Sequence, residues 1–483
     1  MQDGPIFPKQ WCLLSEPARK EPRGAKVVNG LVGLHLYAHP DLPCIRIRTT
    51  EGREIAAILG WVIFDGVYHV KDADLTVPEN RLDELLDEAG GAFVVIREAA
   101  EGRYFQLNIA GALPAVFSAA HGLIASTTTM ASLFADFEDD AEVREIFNFP
   151  KSRGFLPFGL TARRGLERLH PNHRLHLSSF SVQRVWPQPA FAALDRDQPI
   201  ETQPLVADIA ARVRRNTEAV LTAGKAVMNL SGGNDSRMAL AACRNMRDRL
   251  ETQTFVTPGD REGAMAARVA QVAGVAHHKI PLTESSAQSI EAWLHRTGYT
   301  IFENVAKMTD CVVATDRGLQ PIGGTCAELT RATSWNGEDL GHKSLPVERL
   351  LYMIRIPDVP RVHEAAERWL AGLPPCDRVF ALDLAKIEQI HSNWAASSIY
   401  GHKLDRPTIY PFVGVKIYES ILSLPNGYRL NNGFFRDYIS LLWPELLQAP
   451  VNKVTGMDRL IYWKQELKDM IPTNVRRIIR PFR

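Results

Sequence analysis

The chain has 483 residues, and at about 150 residues per domain this length favours two large structural units or three ordinary ones. Lysine and arginine total 56 against 55 for aspartate and glutamate, so the net charge of +1 argues against a polycation built to bind nucleic acid. Hydrophobic residues make up 45% of the chain and charged residues 23%, a composition that excludes an intrinsically disordered protein.

Neither targeting segments nor cysteine motifs stand out in the sequence. Residues 1–5, Met-Gln-Asp-Gly-Pro, lack the basic and apolar regions of a secretory signal, and no apolar run approaches the ~18 to 20 residues that span a bilayer. The six cysteines include no C-x-x-C pair, which argues against a zinc site, an iron–sulfur cluster or a disulfide framework. We therefore expect a cytoplasmic protein with reduced thiols and no membrane insertion.

The first part of the chain is predicted to be rich in β-strands. Short apolar runs at 33–37, 92–96 and 104–107 are separated by glycine, proline and charged turns, a spacing typical of antiparallel pairing. The segment 188–204 is rich in proline and poor in large apolar residues, so it is interpreted as a linker that ends a first domain of residues 1–187.

The second part, residues 205–483, changes to an alternation of strands and helices. That alternation predicts a parallel sheet covered by helices, followed from about residue 364 by a mostly helical part. The predicted elements are a helix at 205–221, a strand at 226–230, a helix at 237–245, a strand at 252–256, a helix at 262–273 and a strand at 278–281.

One loop carries most of the chemical information. Between the first predicted strand of the second domain and the following helix lie Leu230, Ser231, Gly232, Gly233, Asn234, Asp235 and Ser236. Paired glycines let a backbone approach an anion closely, and the N–H groups and dipole of a helix start attract it. The acid at Asp235 would repel phosphate by itself, so it makes best sense as a ligand of the Mg²⁺ that neutralises a triphosphate. The plainer interpretation is a strand-to-helix turn capped by Asp235 and Ser236.

This loop is not a Walker A motif, because G-x-x-x-x-G-K-[ST] is absent. It resembles the S-G-G-x-D-S loop of the ATP pyrophosphatases, which adenylate a substrate and release pyrophosphate. Further segments narrow the resemblance to the asparagine synthetase-like proteins, which include β-lactam synthetase and the lasso peptide macrolactam synthetases. Residues 91–93 and 107–114 are similar to the family's G-x-F and D-x-x-G-x-x-P-L patterns, with Asn108 in place of Asp, and residues 165–173 are similar to its l-x-P-G-H turn, with Asn172 in place of glycine.

The resemblance implies a fold of two classes, α+β and α/β. The first domain would be an antiparallel β sandwich with helices, like that of the amino-terminal-nucleophile amidotransferases. The second would be a parallel-sheet synthetase domain like that of the adenine nucleotide α-hydrolases. Glutamine-using members carry a cysteine directly after the initiator methionine, whereas this chain has Gln2 there and its first cysteine only at Cys12. Without a thiolate beside a free α-amine, glutamine hydrolysis is not expected, and the first domain is interpreted as a degenerate amidotransferase domain.

The resemblance also implies site residues. Leu230, Ser231, Gly232, Gly233, Asp235 and Ser236 would bind the nucleotide together with Gly323 and with Val256 and Thr257, which end the second strand. Residues 321–329 are similar to the family's G-E-G-S-D-E-L loop, although Gly324 and Ala327 stand where it has acids. Glu328 is the acid that remains, as a second metal ligand beside Asp235 and a catalytic candidate, or alternatively as a partner in a structural salt bridge. Lys453 lies where the family has a catalytic lysine that would stabilise developing negative charge.

Together these features predict a ligase that uses ATP and Mg²⁺ to activate a carboxylate and join it to an amine, releasing AMP and pyrophosphate. Because no glutaminase is expected, the nitrogen would come from an amine already on a substrate or from free ammonia. The first source is favoured, as in peptide macrolactam or small-molecule lactam formation. A precursor peptide and a processing protease would then be partners, and nucleic acid would not. Two alternatives stay open: a tRNA-modifying enzyme that shares the loop, disfavoured by the balanced charge and the missing cysteine pairs, and a catalytically inactive scaffold.

Overall fold

The strands of the first 184 residues form two β-sheets. The computed structural model describes residues 4–148, 154–301, 306–335, 340 and 344–453. The strands of this part are β1 Trp11–Leu14, β2 Lys26–Leu31, β3 Leu34–Ala38, β4 Cys44–Arg48, β5 Glu54–Phe64, β6 Val67–His69, β7 Ala73–Thr76, β8 Gly90–Ala99, β9 Gly102–Leu107, β10 Val116–Ser118, β11 Leu123–Ala125, β12 Glu167–Arg168, β13 His173–His176 and β14 Val182–Arg184. Its helices are α1 Leu82–Glu88, preceded by a 3₁₀ turn at Glu79–Arg81, then α2 Thr128–Ala131 and α3 Ala141–Ile146.

The two sheets pack face to face. Their strand orders are β12-β10-β11-β1-β3-β2 and β14-β13-β9-β8-β5-β4-β7, with β6 added on β5, and the pairs are antiparallel except for β4 with β7. Trp11 of the first sheet meets Phe105 of the second with ring centroids 5.6 Å apart. Strand β5 is buried on both faces, because Trp61 faces the other sheet while Ile58 packs toward Leu82 of α1. The predicted antiparallel pairing is therefore confirmed.

A parallel sheet lies in the second part of the chain. Its strands are β15 Ala226–Asn229, β16 Leu250–Val256, β17 Ala276–Pro281 and β18 Gln320–Ile322, in the order β17-β16-β15-β18. The helices between and before them are α4 Pro189–Ala192, α5 Gln203–Ala223, α6 Asp235–Ala242, α7 Glu262–Ala273, α8 Ala287–Arg296 and α9 Thr309–Ala314, with a 3₁₀ segment at Arg244–Arg249. All of the pairs are parallel, as the alternation of strands and helices predicts.

Helical segments follow the parallel sheet up to residue 448. They are a 3₁₀ turn at Ala327–Thr330, α10 Val347–Ile354, α11 Pro360–Ala371, α12 Arg378–Ala385, a π-helix at Lys386–Ala395, a 3₁₀ turn at Ala396–Tyr400, α13 Val415–Leu422, α14 Asn426–Leu430, α15 Gly433–Leu442 and a 3₁₀ turn at Pro444–Gln448. None of the helices within the described ranges combines the length and the apolar character needed to cross a membrane.

The π-helix and the turn after it contact the antiparallel sheets. Arg168 donates to the Ser392 carbonyl at 3.1 Å, and the Tyr400 hydroxyl donates to the Pro114 carbonyl at 2.8 Å. The buried Glu388 carboxylate accepts hydrogen bonds from both terminal nitrogens of Arg184, at 2.5 and 2.8 Å. The strand-rich and helix-rich parts therefore share a buried boundary on the side that the π-helix occupies.

The segment 188–204 is packed rather than free. Arg196 is 3% exposed and donates to main-chain carbonyls of Leu194 and Leu422, so this stretch is anchored to α13. The division of the chain at 187 and 205 stays a prediction.

Asn172 and Asn108, the two asparagines that depart from the motifs named above, both lie in turns. Asn172 has a φ of 68°, a left-handed conformation in which asparagine is several-fold enriched over most other residues that carry a Cβ. Asn108 closes a turn by donating to the Gly91 carbonyl and accepting from the Ala112 amide, both at 2.8 Å. Both asparagines therefore suit the turns in which they lie.

Candidate functional site

The glycine loop, defined as residues Leu230 to Ser236, leaves the carboxyl end of β15 and enters α6. Its first residue is tied to the neighbouring strand, because the Leu230 amide donates to the Gln253 carbonyl at 2.9 Å and its carbonyl accepts the Thr254 hydroxyl at 2.6 Å. In open sheets of this kind, ligands bind beyond the carboxyl ends of the strands. The loop therefore starts from a fixed position at the edge where a ligand is expected.

Two serines stabilise the shape of the glycine loop. The hydroxyl of Ser236 lies 2.8 Å from that of Ser231 and accepts the Ser231 amide at 3.0 Å. The Ser231 hydroxyl in turn accepts the Gly233 amide at 3.2 Å. The side-chain oxygen of Asn234 is buried and has no hydrogen-bond partner among the described residues. The serine hydrogen bonds thus fix the curvature of the loop, whereas the Asn234 side-chain oxygen has no partner within the described ranges.

Gly232 is the tightest point of the loop. A Cβ at this position would lie 2.6 Å from the Cβ of Met265 on α7, so no larger residue fits. The Gly232 amide donates to Oε1 of Glu262, the first residue of α7, at 2.6 Å. One of the backbone amides predicted to bind phosphate therefore already donates a hydrogen bond to the Glu262 carboxylate.

Asp235 is paired with an arginine that the sequence analysis did not identify. One terminal nitrogen of Arg331 lies 2.6 Å from both carboxylate oxygens. Burial raises the pKa of Asp235, the positive charge of Arg331 opposes that rise, and the negative charge of Glu328 adds to it. The carboxylate predicted to ligate Mg²⁺ is therefore neutralised by a guanidinium in this structure.

A second loop, residues Gly323 to Glu328, packs directly on the start of α6. A Cβ at Gly324 would lie 2.6 Å from the carbonyl carbon of Asp235 and from the Ser236 amide nitrogen. No acidic side chain could occupy that position without moving the glycine loop. The absence of an acid at Gly324 therefore has a steric reason in this structure.

Glu328 ends the second loop in a buried cluster of charges. Its Oε1 lies 3.0 Å from Nε2 of His391 on the π-helix and 3.5 Å from the Lys386 ammonium. Burial would raise the pKa of Glu328, but the charge of His391 and its hydrogen bond hold that pKa well below its usual range. Oε2 of Glu328 is buried and has no partner among the described residues. Oε1 of Glu328 therefore takes part in a salt bridge, the structural alternative, while Oε2 has no partner in the parts of the chain that the structure describes.

Three further predicted positions border the same edge of the sheet. Gly323 donates to the Ile409 carbonyl at 2.9 Å, and a Cβ there would lie 2.6 Å from the Tyr410 ring. Val256 ends β16 and Thr257 follows it, and the Val256 carbonyl accepts the Leu282 amide at 2.8 Å. The Val256 carbonyl thus already accepts a main-chain hydrogen bond. That Val256 and Thr257 lie near an adenine stays a prediction.

Lys453 reaches this edge from more than 200 residues away in the sequence. The amide of its neighbour Asn452 donates to the Gly232 carbonyl at 3.0 Å, which places the chain that carries Lys453 against the glycine loop. The side chain of Lys453 is exposed. The structure therefore brings the backbone beside Lys453 to the predicted nucleotide site, and its catalytic role stays a prediction.

The donor set partly suits Mg²⁺. Asp235 and Glu328 offer the hard oxygens that this ion prefers, and the unpartnered Oε2 of Glu328 could accept a cation. Asp235 could ligate the ion only if the Arg331 guanidinium moved away from at least one of the two Asp235 carboxylate oxygens. No group of three or more His, Cys, Asp or Glu side chains with the proximity for metal binding occurs in the described parts of the chain.

A cavity of about 250 Å³ lies on the half-exposed face of the parallel sheet, between the strand-rich and helix-rich parts. Its floor contains Asn229 and Gln253, whose side-chain amides are joined by a 3.0 Å hydrogen bond, and Tyr410 lines the end near Gly323. Lys9 lines the far side and donates to the His402 carbonyl at 3.0 Å. The cavity is therefore bordered by both parts of the chain, and one of its lining residues, Tyr410, packs against Gly323 of the second loop.

Sequence reasoning missed four residues that shape the site: Arg237, Glu262, Arg331 and His391. Two carried a usable signal. Arg237 is a charged residue followed by the apolar run Met238 to Ala242, and Arg331 lies three residues after Glu328. His391 and Glu262 reach the site only through tertiary packing, which no local pattern reports.

Comparisons with known proteins do not assign a family. No protein-family model matches the chain, and no curated protein matches it. Among solved structures, NAD+ synthetase from Burkholderia pseudomallei is 12% identical and is matched over 59% of this chain and 95% of its own, with a TM-score of 0.19. A TM-score this low supports no conclusion about fold or function, which rest on the geometry described above.

Proposed function

We propose that this protein is an ATP-dependent carbon–nitrogen ligase of the asparagine synthetase-like type, which forms AMP and pyrophosphate. The observation that carries the proposal is the glycine loop, which lies at the carboxyl end of a central parallel strand with the backbone of Asn452 and Lys453 against it. In this proposal the sandwich of the first domain is amidotransferase-like and degenerate, and Cys12 is no nucleophile there, since it is fully buried and burial raises the pKa of its thiol.

Each group has a proposed task. The backbone around Ser231 to Ser236 binds the phosphate tail of ATP, with the amide of Gly232 exchanging the Glu262 carboxylate for a phosphate oxygen. A substrate carboxylate then attacks the α-phosphorus, forming an acyl-adenylate and releasing pyrophosphate. The Lys453 ammonium stabilises negative charge on the leaving pyrophosphate.

Amide formation completes the reaction. An amine of the substrate attacks the acyl carbon, the bond to AMP breaks, and the amine loses a proton. Activation by adenylation is needed because a carboxylate at neutral pH is a poor electrophile with a very bad leaving group. Asp235 and Glu328 would hold Mg²⁺, whose charge neutralises the triphosphate.

The cavity beside Asn229 and Gln253 is the proposed location of the substrate that receives the adenylate. Tyr410, which lines the cavity, lies next to Gly323, so a substrate carboxylate bound at this end would approach the proposed nucleotide site. Peptide macrolactam and small-molecule lactam formation both fit a site where no ammonia-supplying nucleophile is expected. A gene for a short precursor peptide or a protease next to this one would favour the macrolactam.

The test is exchange of labelled pyrophosphate into ATP with the purified protein and candidate carboxylates. We expect exchange that depends on a carboxylate and is lost in Lys453→Ala, whereas Lys225→Ala, at the opposite end of β15, leaves it unchanged. ATP binding that is undetectable by calorimetry, together with no exchange for any carboxylate, would overturn the proposal.

One observation favours the alternative of a catalytically inactive scaffold. Arg331 and Glu262 occupy the Asp235 carboxylate and the Gly232 amide, so two groups predicted to bind Mg-ATP already have protein partners. A scaffold would bind its partner without consuming ATP. The same exchange and calorimetry experiments separate the two candidates.

A further inference from the structure

Arg237 is an unusual residue for the position that it occupies. It follows the glycine loop directly, lies on the first turns of α6 and is fully buried. Among the described residues, its guanidinium has no carboxylate partner in an ion pair. Its Nε is also buried and has no hydrogen-bond partner among them. A buried charge is costly unless it is compensated, so an arginine here with no carboxylate partner in the described ranges requires an explanation.

The hydrogen bonds of Arg237 go to main-chain carbonyls on two separate segments. Its terminal nitrogens donate to Gly232 in the glycine loop at 3.1 Å, and to Leu446 and Pro450 at 3.2 Å each. The same guanidinium also donates to the carbonyl of Ala449. One planar fork therefore joins the glycine loop to residues 446–450, the segment that leads to Lys453.

The Gly232 carbonyl is where the two segments meet. It accepts from Arg237 on one side and from the Asn452 amide on the other. A shift of the loop when an anion binds would therefore be transmitted to the chain on either side of Asn452. The neighbouring Arg244 provides a contrast, since it holds Leu442 and Glu445 from outside and has no hydrogen bond to the glycine loop among those described.

We propose that Arg237 is a positioning residue that couples occupation of the glycine loop to the placement of Lys453. Its buried charge also adds attraction for the phosphate tail, because each acceptor that the guanidinium has among the described residues is a neutral carbonyl. The inference rests on the proposed function, since it assumes that the anion in the loop belongs to a nucleotide. It gives Arg237 two separable effects: a charge that favours anion binding and a fork that bridges two segments.

Hydrogen exchange followed by mass spectrometry tests both effects on the full chain. The probe is α,β-methylene-ATP with Mg²⁺, and the peptides of interest cover 230–236 and 446–453. In the wild type we expect the nucleotide to slow exchange by about tenfold or more in both peptides. In Arg237→Met we expect protection of 230–236 at saturating nucleotide but no protection of 446–453. Arg244→Met is the matched control and is expected to behave as the wild type.

Arg237→Lys separates charge from bridging. A lysine keeps the positive charge but cannot span four carbonyls, so we expect near-normal nucleotide affinity with protection of 446–453 lost. Guanidinium ion added to Arg237→Ala is expected to restore that protection in part, a rescue that a general folding defect would not show.

The outcomes distinguish the two proposals. If the wild type binds no nucleotide, the proposed function fails. If the nucleotide protects 230–236 but leaves 446–453 unchanged in the wild type, or protects 446–453 equally in the folded Arg237 variants, the coupling by Arg237 is wrong while the nucleotide site stands. If Arg237→Met fails to fold, Arg237→Lys provides the same comparison, because protection of 446–453 in folded Arg237→Lys would overturn the coupling.

Discussion

The glycine loop and the second loop lie against each other, yet they relate to the sequence in opposite ways. The glycine loop keeps every position of the S-G-G-x-D-S pattern, and its shape comes from backbone amides and two serine hydroxyls. The second loop lacks two expected acids, and Glu328 is surrounded by cations from distant segments, His391 and Lys386. A site built from backbone can be recognised from a short motif, whereas a site built from side chains depends on partners that the motif does not contain.

Among these substitutions, loss of the Lys453 ammonium should have the largest effect on turnover. For Lys453→Ala we expect turnover to fall by about 10²-fold to 10³-fold, the scale for removing one transition-state contact, with nucleotide binding nearly intact. Pyrophosphate exchange and calorimetry measure the two quantities. Lys225→Ala is the control, and unchanged exchange in Lys453→Ala would remove Lys453 from the mechanism.

A methyl group at Gly324 should disturb both loops at once. In Gly324→Ala the added Cβ meets main-chain atoms of Asp235 and Ser236, so we expect a loss of about 1–3 kcal/mol in the free energy of unfolding and weaker nucleotide binding. Urea denaturation measures the stability. Gly427→Ala is the matched control, because its Cβ meets nothing within 4 Å and should be neutral or slightly stabilising in a helix. Equal stability of the two variants would contradict this packing.

The sequence predicts the helices, the strands and the glycine loop, but not the side-chain partners of the acids in the site. The helix at 262–273 and the parallel strands follow from hydrophobic pattern, and the structure reproduces those helix bounds at Glu262–Ala273. The glycine loop was recognisable because its motif has glycines and hydroxyl residues at a fixed spacing. The partners of Asp235 and Glu328 were not. The position of Arg331, three residues after Glu328, indicates that it lies near the second loop but not that it pairs with Asp235, and His391 reaches Glu328 only through tertiary packing. Gly324 was interpreted as a missing acid, whereas the structure shows that α6 leaves no room for one.

Competition between Arg331 and a metal ion should be a moderate effect. A partly exposed ion pair contributes about 0–1 kcal/mol, so freeing Asp235 in Arg331→Gln should lower the Mg²⁺ concentration needed for half-maximal nucleotide binding by about fivefold at most. Calorimetric titration at a series of Mg²⁺ concentrations measures this. Arg268→Gln, an exposed position on α7, is the control. A higher Mg²⁺ requirement in Arg331→Gln would instead assign Arg331 to nucleotide binding.

The smallest effect is expected from the hydrogen bond that anchors the start of the glycine loop. Thr254→Val removes the bond to the Leu230 carbonyl, which should cost about 1 kcal/mol of stability and weaken nucleotide binding about twofold to fivefold. Thr252→Val is a close match, because Thr252 lies on the same strand and bonds the Ala276 carbonyl away from the loop. We expect a similar change in stability but no change in affinity for Thr252→Val. Equal affinities in both variants would show that this anchor does not shape the site.

A crystal structure with Mg²⁺ and α,β-methylene-ATP tests the central claim most directly. We expect the triphosphate on the backbone amides of Gly232 to Ser236, with the Glu262 carboxylate displaced from the Gly232 amide. A nucleotide bound elsewhere, or crystals in saturating nucleotide with Glu262 still on that amide and no phosphate in the loop, would contradict the claim that this loop binds ATP.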